Sequence, residues 1–210
     1  MLGRMRRRTV LGALLAVPAW LALGGCGRGK PRLPRIDEAG VILAFGDSLT
    51  YGTGAAPEQS YPATLERLAK RRVVRSGVPG ETAAQGLDRL PDVLRDAAPQ
   101  LLILCLGGND LLRRGDERSV KSALKAMIEL AHGRGVAVVL MAPPRPGVFT
   151  DAPPLYGELA KELAVPLEAD VLKSVLMDNS LKSDLIHPNA KGYARIAEAL
   201  LRLLRDAGAL

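Results

Sequence analysis

Six consecutive apolar residues, Leu101-Leu102-Ile103-Leu104-Cys105-Leu106, limit the fold more than any other stretch of the chain. A strand with one wet face alternates apolar and polar side chains, so a continuous apolar run requires cover on both faces. Shorter apolar runs at 41–45, 73–75, 137–141 and 165–167 also read as strands. Between them, residues 61–71, 83–97, 119–133 and 154–164 carry helical patterns. A last helix starts with Pro188 at its first position and gathers Tyr193, Ile196, Ala197, Leu200, Leu201 and Leu204 on one face. Strands alternating with helices imply an α/β fold, a parallel sheet with helices on both sides. No internal repeat and no second domain is evident, and residues 36–210 read as one domain with a sizeable core.

The first 25 residues stand apart from that core. Arg4, Arg6, Arg7 and Arg8 precede an apolar stretch from 10 to 23, too short to span a bilayer comfortably, which ends in small residues as export signals do. Leu23-Gly24-Gly25-Cys26 resembles the lipobox of bacterial lipoprotein signals, in which the cysteine is acylated and becomes the mature N-terminus. Arg7-Arg8-Thr9-Val10-Leu11 is also partly similar to a twin-arginine export signal. An uncleaved N-terminal anchor is the alternative. Either reading puts the domain in the cell envelope, exported, membrane-tethered and expected to face the periplasm. Residues 26–35 then form a flexible basic tether, whose Arg28, Lys30, Arg32 and Arg35 either meet anionic headgroups or are simply solvated.

Export also changes the charge argument. The formal charge is +7, and the four signal arginines, unaccompanied by any acid, account for four of those charges and leave +3. That balance, with no basic stripe interleaved with aromatics, argues against nucleic acid as a partner. With Cys26 lipidated, Cys105 is left alone in an apolar strand as a small buried hydrophobe; a Cys26–Cys105 bridge would force the tether back onto that strand.

Parallel open sheets build their sites where the carboxyl ends of strands meet their loops. Ser48 follows the first strand, Gly77 to Gly80 the second, and Gly107-Gly108-Asn109-Asp110 the third, so all three share one edge. Taken alone, each has a plain explanation. Ser48 is a turn residue, with no P-loop, dinucleotide fingerprint or GxSxG elbow around it. Pro79-Gly80 is a type II turn, and Asn109 a turn former or helix cap. Asp184 could cap the last helix. His187 is harder to set aside. The only other histidine, His132, lies at a solvated helix end, so His187 is the candidate to take a proton from a serine, with Asp184 three residues earlier able to fix its tautomer.

Gly46-Asp47-Ser48-Leu49, Gly80 followed by Glu81-Thr82, Gly107-Gly108-Asn109-Asp110 and Asp184-Leu185-Ile186-His187 occur in this order. Together they resemble the four sequence blocks of the SGNH, or GDSL-type, hydrolases, over about 42–193. The resemblance implies a three-layer α/β/α sandwich, flavodoxin-like, with a mostly parallel five-stranded sheet. It implies Ser48 as nucleophile, His187 as general base and then acid, and Asp184 as its orienting partner. The oxyanion hole would comprise the Ser48 and Gly80 N–H groups and the Asn109 amide. No cofactor and no metal is implied, and no His, Cys, Asp or Glu cluster at ligand spacing is seen. One departure is Leu185, where many relatives carry glycine; the added bulk could narrow the cleft.

The segment from Gly80 to Pro91, with Gly107-Gly108-Asn109-Asp110 after it, is similar to the bacterial arylesterase, acyl thioesterase and lysophospholipase branch. The expected substrates are therefore small acyl esters, thioesters or lipids, handled by a monomer. Leu111 and Leu112 could touch an acyl chain and Arg113 a phosphate-bearing head group; otherwise the leucines pack inward and the arginine is solvated. The proline-rich stretch Pro143-Pro144-Arg145-Pro146-Gly147 could cover the cleft or merely connect elements. An O-acetylesterase acting on envelope polysaccharide is the alternative activity, disfavoured by the scarcity of aromatic residues. A noncatalytic ligand-binding lipoprotein is the alternative from another class.

Overall fold

The computed structural model describes residues 31–145 and 151–210. The export segment, Cys26, Pro146 and Gly147 lie outside the described residues. Five strands, β1 (Val41–Gly46), β2 (Arg72–Gly77), β3 (Leu101–Cys105), β4 (Ala137–Met141) and β5 (Leu167–Glu168), form one sheet in the order β2-β1-β3-β4-β5. Every pairing is parallel. Among the described residues eight α-helices accompany them: α1 (Ser48–Tyr51), α2 (Tyr61–Ala69), α3 (Ala83–Ala97), α4 (Gly108–Leu112), α5 (Glu117–Gly133), α6 (Pro154–Glu162), α7 (Val171–Met177) and α8 (Ala190–Asp206).

The strict two-residue period of a strand divides the core into two layers. Ile42, Ala44, Leu101, Ile103, Cys105, Val139 and Met141 face one side, against Tyr61 and Leu65 of α2, Val175 of α7 and Ile196 and Leu200 of α8. Leu43, Phe45, Leu102, Leu104, Val138 and Leu140 face the other, against Leu90 of α3, Leu124 and Ile128 of α5 and Leu159 of α6. All five residues of β3 are buried, as its unbroken apolar sequence requires. The result is the expected three-layer α/β/α sandwich. Cys105 is a buried free thiol whose pKa burial pushes well up, which makes it inert.

Boundaries differ from expectation where backbone donors decide them. The last strand begins at Leu167, not Val165, because the Val165 N–H closes α6 on the Ala160 carbonyl and Pro166 has no N–H to give. Helix α8 begins at Ala190, with Asn189 and not Pro188 setting its start. The Asn189 side chain accepts from the N–H groups of Lys191 and Gly192, at 3.0 and 3.1 Å, so Asp184 has no capping role there. Helix α7 carried no helical expectation; seven residues are too few to display a period.

At the opposite edge, the N-terminal arm is fastened to the C-terminal tail. The Leu33 and Ile36 N–H groups donate to the carbonyls of Ala207 and Ala209, each at 2.9 Å, and Ile36 is buried. Ile103→Ala, at the centre of the sheet, should lower unfolding free energy by about 2–5 kcal/mol. Urea denaturation of the two proteins at one pH would measure it.

Candidate active site

Strand order reverses beside β1: the connection from β1 to β2 packs on one face of the sheet and the one from β2 to β3 on the other, and the loops there part to leave a crevice. Its floor starts at Gly46, which is squeezed between neighbouring strands: a Cβ there would meet the Cys105 carbonyl oxygen at 2.2 Å. The chain then turns into α1 at Ser48. Asp47 caps this helix, its Oδ1 accepting the Leu49 N–H at 3.0 Å. Ser48 occupies the first helical position, whose N–H has no partner within the helix, and its side chain remains partly open to solvent.

His187 arrives from 139 residues away, and its Nε2 lies 3.1 Å from Ser48 Oγ. Its Nδ1 lies 2.7 Å from Asp184 Oδ2. Asp184 Oδ1 meanwhile accepts the backbone N–H groups of Ile186 and His187, both at 2.8 Å. Burial pushes the Asp184 carboxyl up, but the His187 imidazole and those two N–H groups outweigh it and hold the group below the usual aspartate range. An ionised Asp184 requires the proton on Nδ1, which leaves Nε2 as an acceptor for the Ser48 hydroxyl. The segment carrying both groups is closed at its base, where Lys182 and Pro188 form an antiparallel bridge and the Ser183 N–H donates to the His187 carbonyl.

Gly80 enters the crevice from the end of β2. The Glu81 N–H bonds the Val78 carbonyl across Pro79-Gly80, and Gly80 has φ +79°, the left-handed conformation that a type II turn demands. Several contacts fix this loop. Arg89 grips Glu81 with two bonds of 2.7 Å, Nε to Oε1 and Nη2 to Oε2, while lying 4.0 Å above the Phe45 ring. Arg113 Nη2 donates to the Gly80 carbonyl at 3.0 Å, and Asp110 Oδ2 accepts the Ala83 N–H at 2.9 Å.

Asn109, in α4 after β3, ties the two sides together. Its Nδ2 donates to Asp47 Oδ2 at 3.1 Å and to the Glu81 carbonyl at 3.0 Å. The carbonyl can only accept, which fixes the orientation of the amide. Asp47 is almost wholly buried here. Burial pushes its carboxyl up, from 3.8 to about 7, against the opposing pull of the Leu49 N–H and the His187 ring.

The crevice encloses about 230 Å³ and is lined mainly by apolar groups beyond the polar cluster, among them Leu112, Pro143, Pro144, Leu176 and Ile186. Ser48, Gly80, Asn109 and His187 all line it. Of the three expected substrate contacts, Leu112 lines it, whereas Leu111 and Arg113 do not. Arg113 is instead committed to the Gly80 carbonyl. Leu185 does not narrow the cleft; it points to solvent at 77 % exposure, and its neighbour Ile186 is the residue on the wall. Sequence reasoning gave no role to Asp47, Arg89 or Leu176. Only the first carried a signal, being an acid set between an apolar strand and a short helix. Among the described residues, no group of three or more His, Cys, Asp or Glu is disposed to hold a metal ion.

A family model described as the GDSL-like Lipase/Acylhydrolase family matches residues 44–195. "Thioesterase 1/protease 1/lysophospholipase L1" of Escherichia coli K12 is 30% identical over 179 residues, covering 81% of this chain and 86% of that protein. "Arylesterase" of Vibrio mimicus is 33% identical over 171 residues, covering 75% and 84%. Among solved structures, one described as "Crystal Structure of TesA" superposes with a TM-score of 0.70 at 28% identity, covering 80% of this chain and 99% of that one.

The raised Asp47 pKa fixes the sign of a stability effect. Between 3.8 and about 7 the folded chain holds a proton that the unfolded chain has released, so this group's contribution to stability declines as pH rises through that window. Asp47→Asn should remove that component. Urea denaturation at several pH values between 4 and 8 should show a pH slope in the variant that differs from wild type by this missing decline.

Proposed function

Because the chain belongs to the GDSL-like lipase/acylhydrolase family, an ester-bond hydrolase family, we propose that it is a serine esterase acting through Ser48, His187 and Asp184. The observation that carries this reading is the continuous hydrogen-bonded line from Asp184 through His187 to Ser48, opening into an apolar crevice. Ser48 Oγ attacks the substrate carbonyl carbon while its proton passes to His187 Nε2. Asp184, already ionised, stabilises the resulting imidazolium. Collapse of the tetrahedral intermediate breaks the bond to the leaving alkoxide or thiolate, which takes the proton from Nε2. An acyl group then remains on Ser48. Water, deprotonated by the same nitrogen, releases the acid and restores the serine.

The negative oxygen formed in each half-reaction needs donors that carry no titratable charge. The Ser48 and Gly80 N–H groups and the Asn109 amide supply this chemistry. Both Asn109 hydrogens are already engaged, so one must be shared with the oxyanion or exchanged to it. The bond to Asp47 is the one that weakens when Asp47 is neutral.

The apolar wall fits the acyl portion of a substrate, and the crevice is small enough to favour single chains. Named activities of the relatives, thioesterase, lysophospholipase and arylesterase, point to acyl esters and thioesters with varied leaving groups, here too. The sequence around Cys26 supports export and lipidation at that residue. Among the described residues, no helix is long and apolar enough to cross a membrane.

A fluorophosphonate probe should label the domain beginning at Pro31 and fail to label Ser48→Ala. Equal labelling of the two would reject Ser48 as nucleophile. Asn109→Ala should lower kcat on p-nitrophenyl butyrate by about 10²–10³. A loss below tenfold in folded protein, checked by circular dichroism, would remove Asn109 from the hole.

A further inference from the structure

The crevice and the attachment point of the chain lie at opposite ends of the domain. Ser48, Gly80 and Asn109 follow the carboxyl ends of β1, β2 and β3. The arm that leads back to Cys26 is bound at the amino ends of the strands. Leu33 and Ile36 are fastened to Ala207 and Ala209, past the end of α8, a helix that starts beside His187 and runs away from it. Asp37 is held there too, its N–H donating to Gln100 Oε1 at 3.0 Å, with Gln100 immediately preceding β3. A six-residue strand separates these edges by about 20 Å before the loops are counted.

Chain length turns this separation into a constraint. Seven residues lead from Cys26 to Leu33, which span at most about 25 Å fully extended. A domain of this size is about 40 Å across, and a path around its outside from one pole to the other is about 60 Å. Acyl chains on Cys26 would hold that residue at the lipid surface. The remaining length cannot reach round to set the crevice against the same surface.

On the reading that Cys26 is lipidated and the site is an esterase, we propose that the enzyme works facing away from the membrane that anchors it. Its acyl substrates come from the distal side, as dissolved molecules or from an apposed lipid surface, and not from the anchoring leaflet. Most of the exposed large apolar side chains agree with this orientation, Leu68 at the end of α2 being an exception. Val78, Leu112 at the end of α4, and Ile186 stand at the far edge around the crevice, and Met177 is next to the lining residue Leu176. They are turned toward whatever approaches from that side.

The test uses the full lipidated chain reconstituted on the outside of phosphatidylcholine vesicles. A fluorogenic long-chain acyl ester is placed either in the same vesicles or in separate ones at equal total amount, with soluble p-nitrophenyl butyrate as a third arm. Confinement to one surface ordinarily raises local concentration and rate by about 10²-fold or more. Here the ester sharing the enzyme's own vesicle should be cleaved within about twofold of the rate for the ester in separate vesicles. Inserting 30 Gly/Ser residues between Arg28 and Gly29, with a contour of about 100 Å, should raise same-vesicle cleavage at least about tenfold. The rate on soluble ester should not change. A wild-type enzyme that strongly favours ester in its own vesicle, with no response to the insertion, overturns the proposal. Wild-type chain that takes up no labelled palmitate and does not float with vesicles overturns the anchor, and the proposed orientation with it. Chain that floats but leaves p-nitrophenyl butyrate intact overturns the esterase reading instead.

Discussion

The reversal of strand order beside β1 is the constraint on which the site depends. Neighbouring connections go to opposite faces of the sheet, and so no helix can close the gap between the ends of β1 and β3. Gly46 lies at the bottom of this gap because nothing larger fits against the Cys105 carbonyl. Ser48, Gly80 and Asn109 enter it from three separate strands, and His187 enters from a fourth direction. Their rigidity is borrowed from the buried sheet, whose two apolar layers fix where each strand ends.

Two aspartates near Ser48 are driven to opposite protonation behaviour by their surroundings. Asp184 is half-exposed and receives three hydrogen bonds, so it holds its charge and can orient an imidazole. Asp47 is enclosed and receives two, and its desolvation is not repaid. The distinction decides which carboxylate can serve the histidine. It also makes Asp47 a structural junction between the helix of Ser48 and Asn109.

Much of this was legible in the sequence, and the parts that were not share a cause. The unbroken apolar run of β3 fixed the layered architecture because only a doubly covered strand tolerates it. Helix α3 has its expected limits, since Thr82 and Gln85 cap it reciprocally. The family blocks pointed to residues that do converge in space. Less legible was anything decided by a single donor or acceptor. Asn189, not Pro188, starts α8 because its side chain takes two helix N–H groups. Arg113 turns to a backbone carbonyl and away from the cleft. Arg89 clasps Glu81 from eight residues away, a pairing no pattern of hydrophobicity records. Leu185 points outward because its neighbour Ile186 takes the wall.

The stem formed by Lys182 and Pro188 has a mechanical consequence. Asp184 and His187 ride on one short excursion of the chain, and Ser48 opens the helix that follows β1. Sliding that excursion outward leaves the imidazole and its carboxylate in register with each other and stretches only the span to the hydroxyl. The contact with Ser48 is therefore the one in this line that depends on how two distant parts of the chain pack, whereas the pairing of Asp184 with His187 is set within four residues.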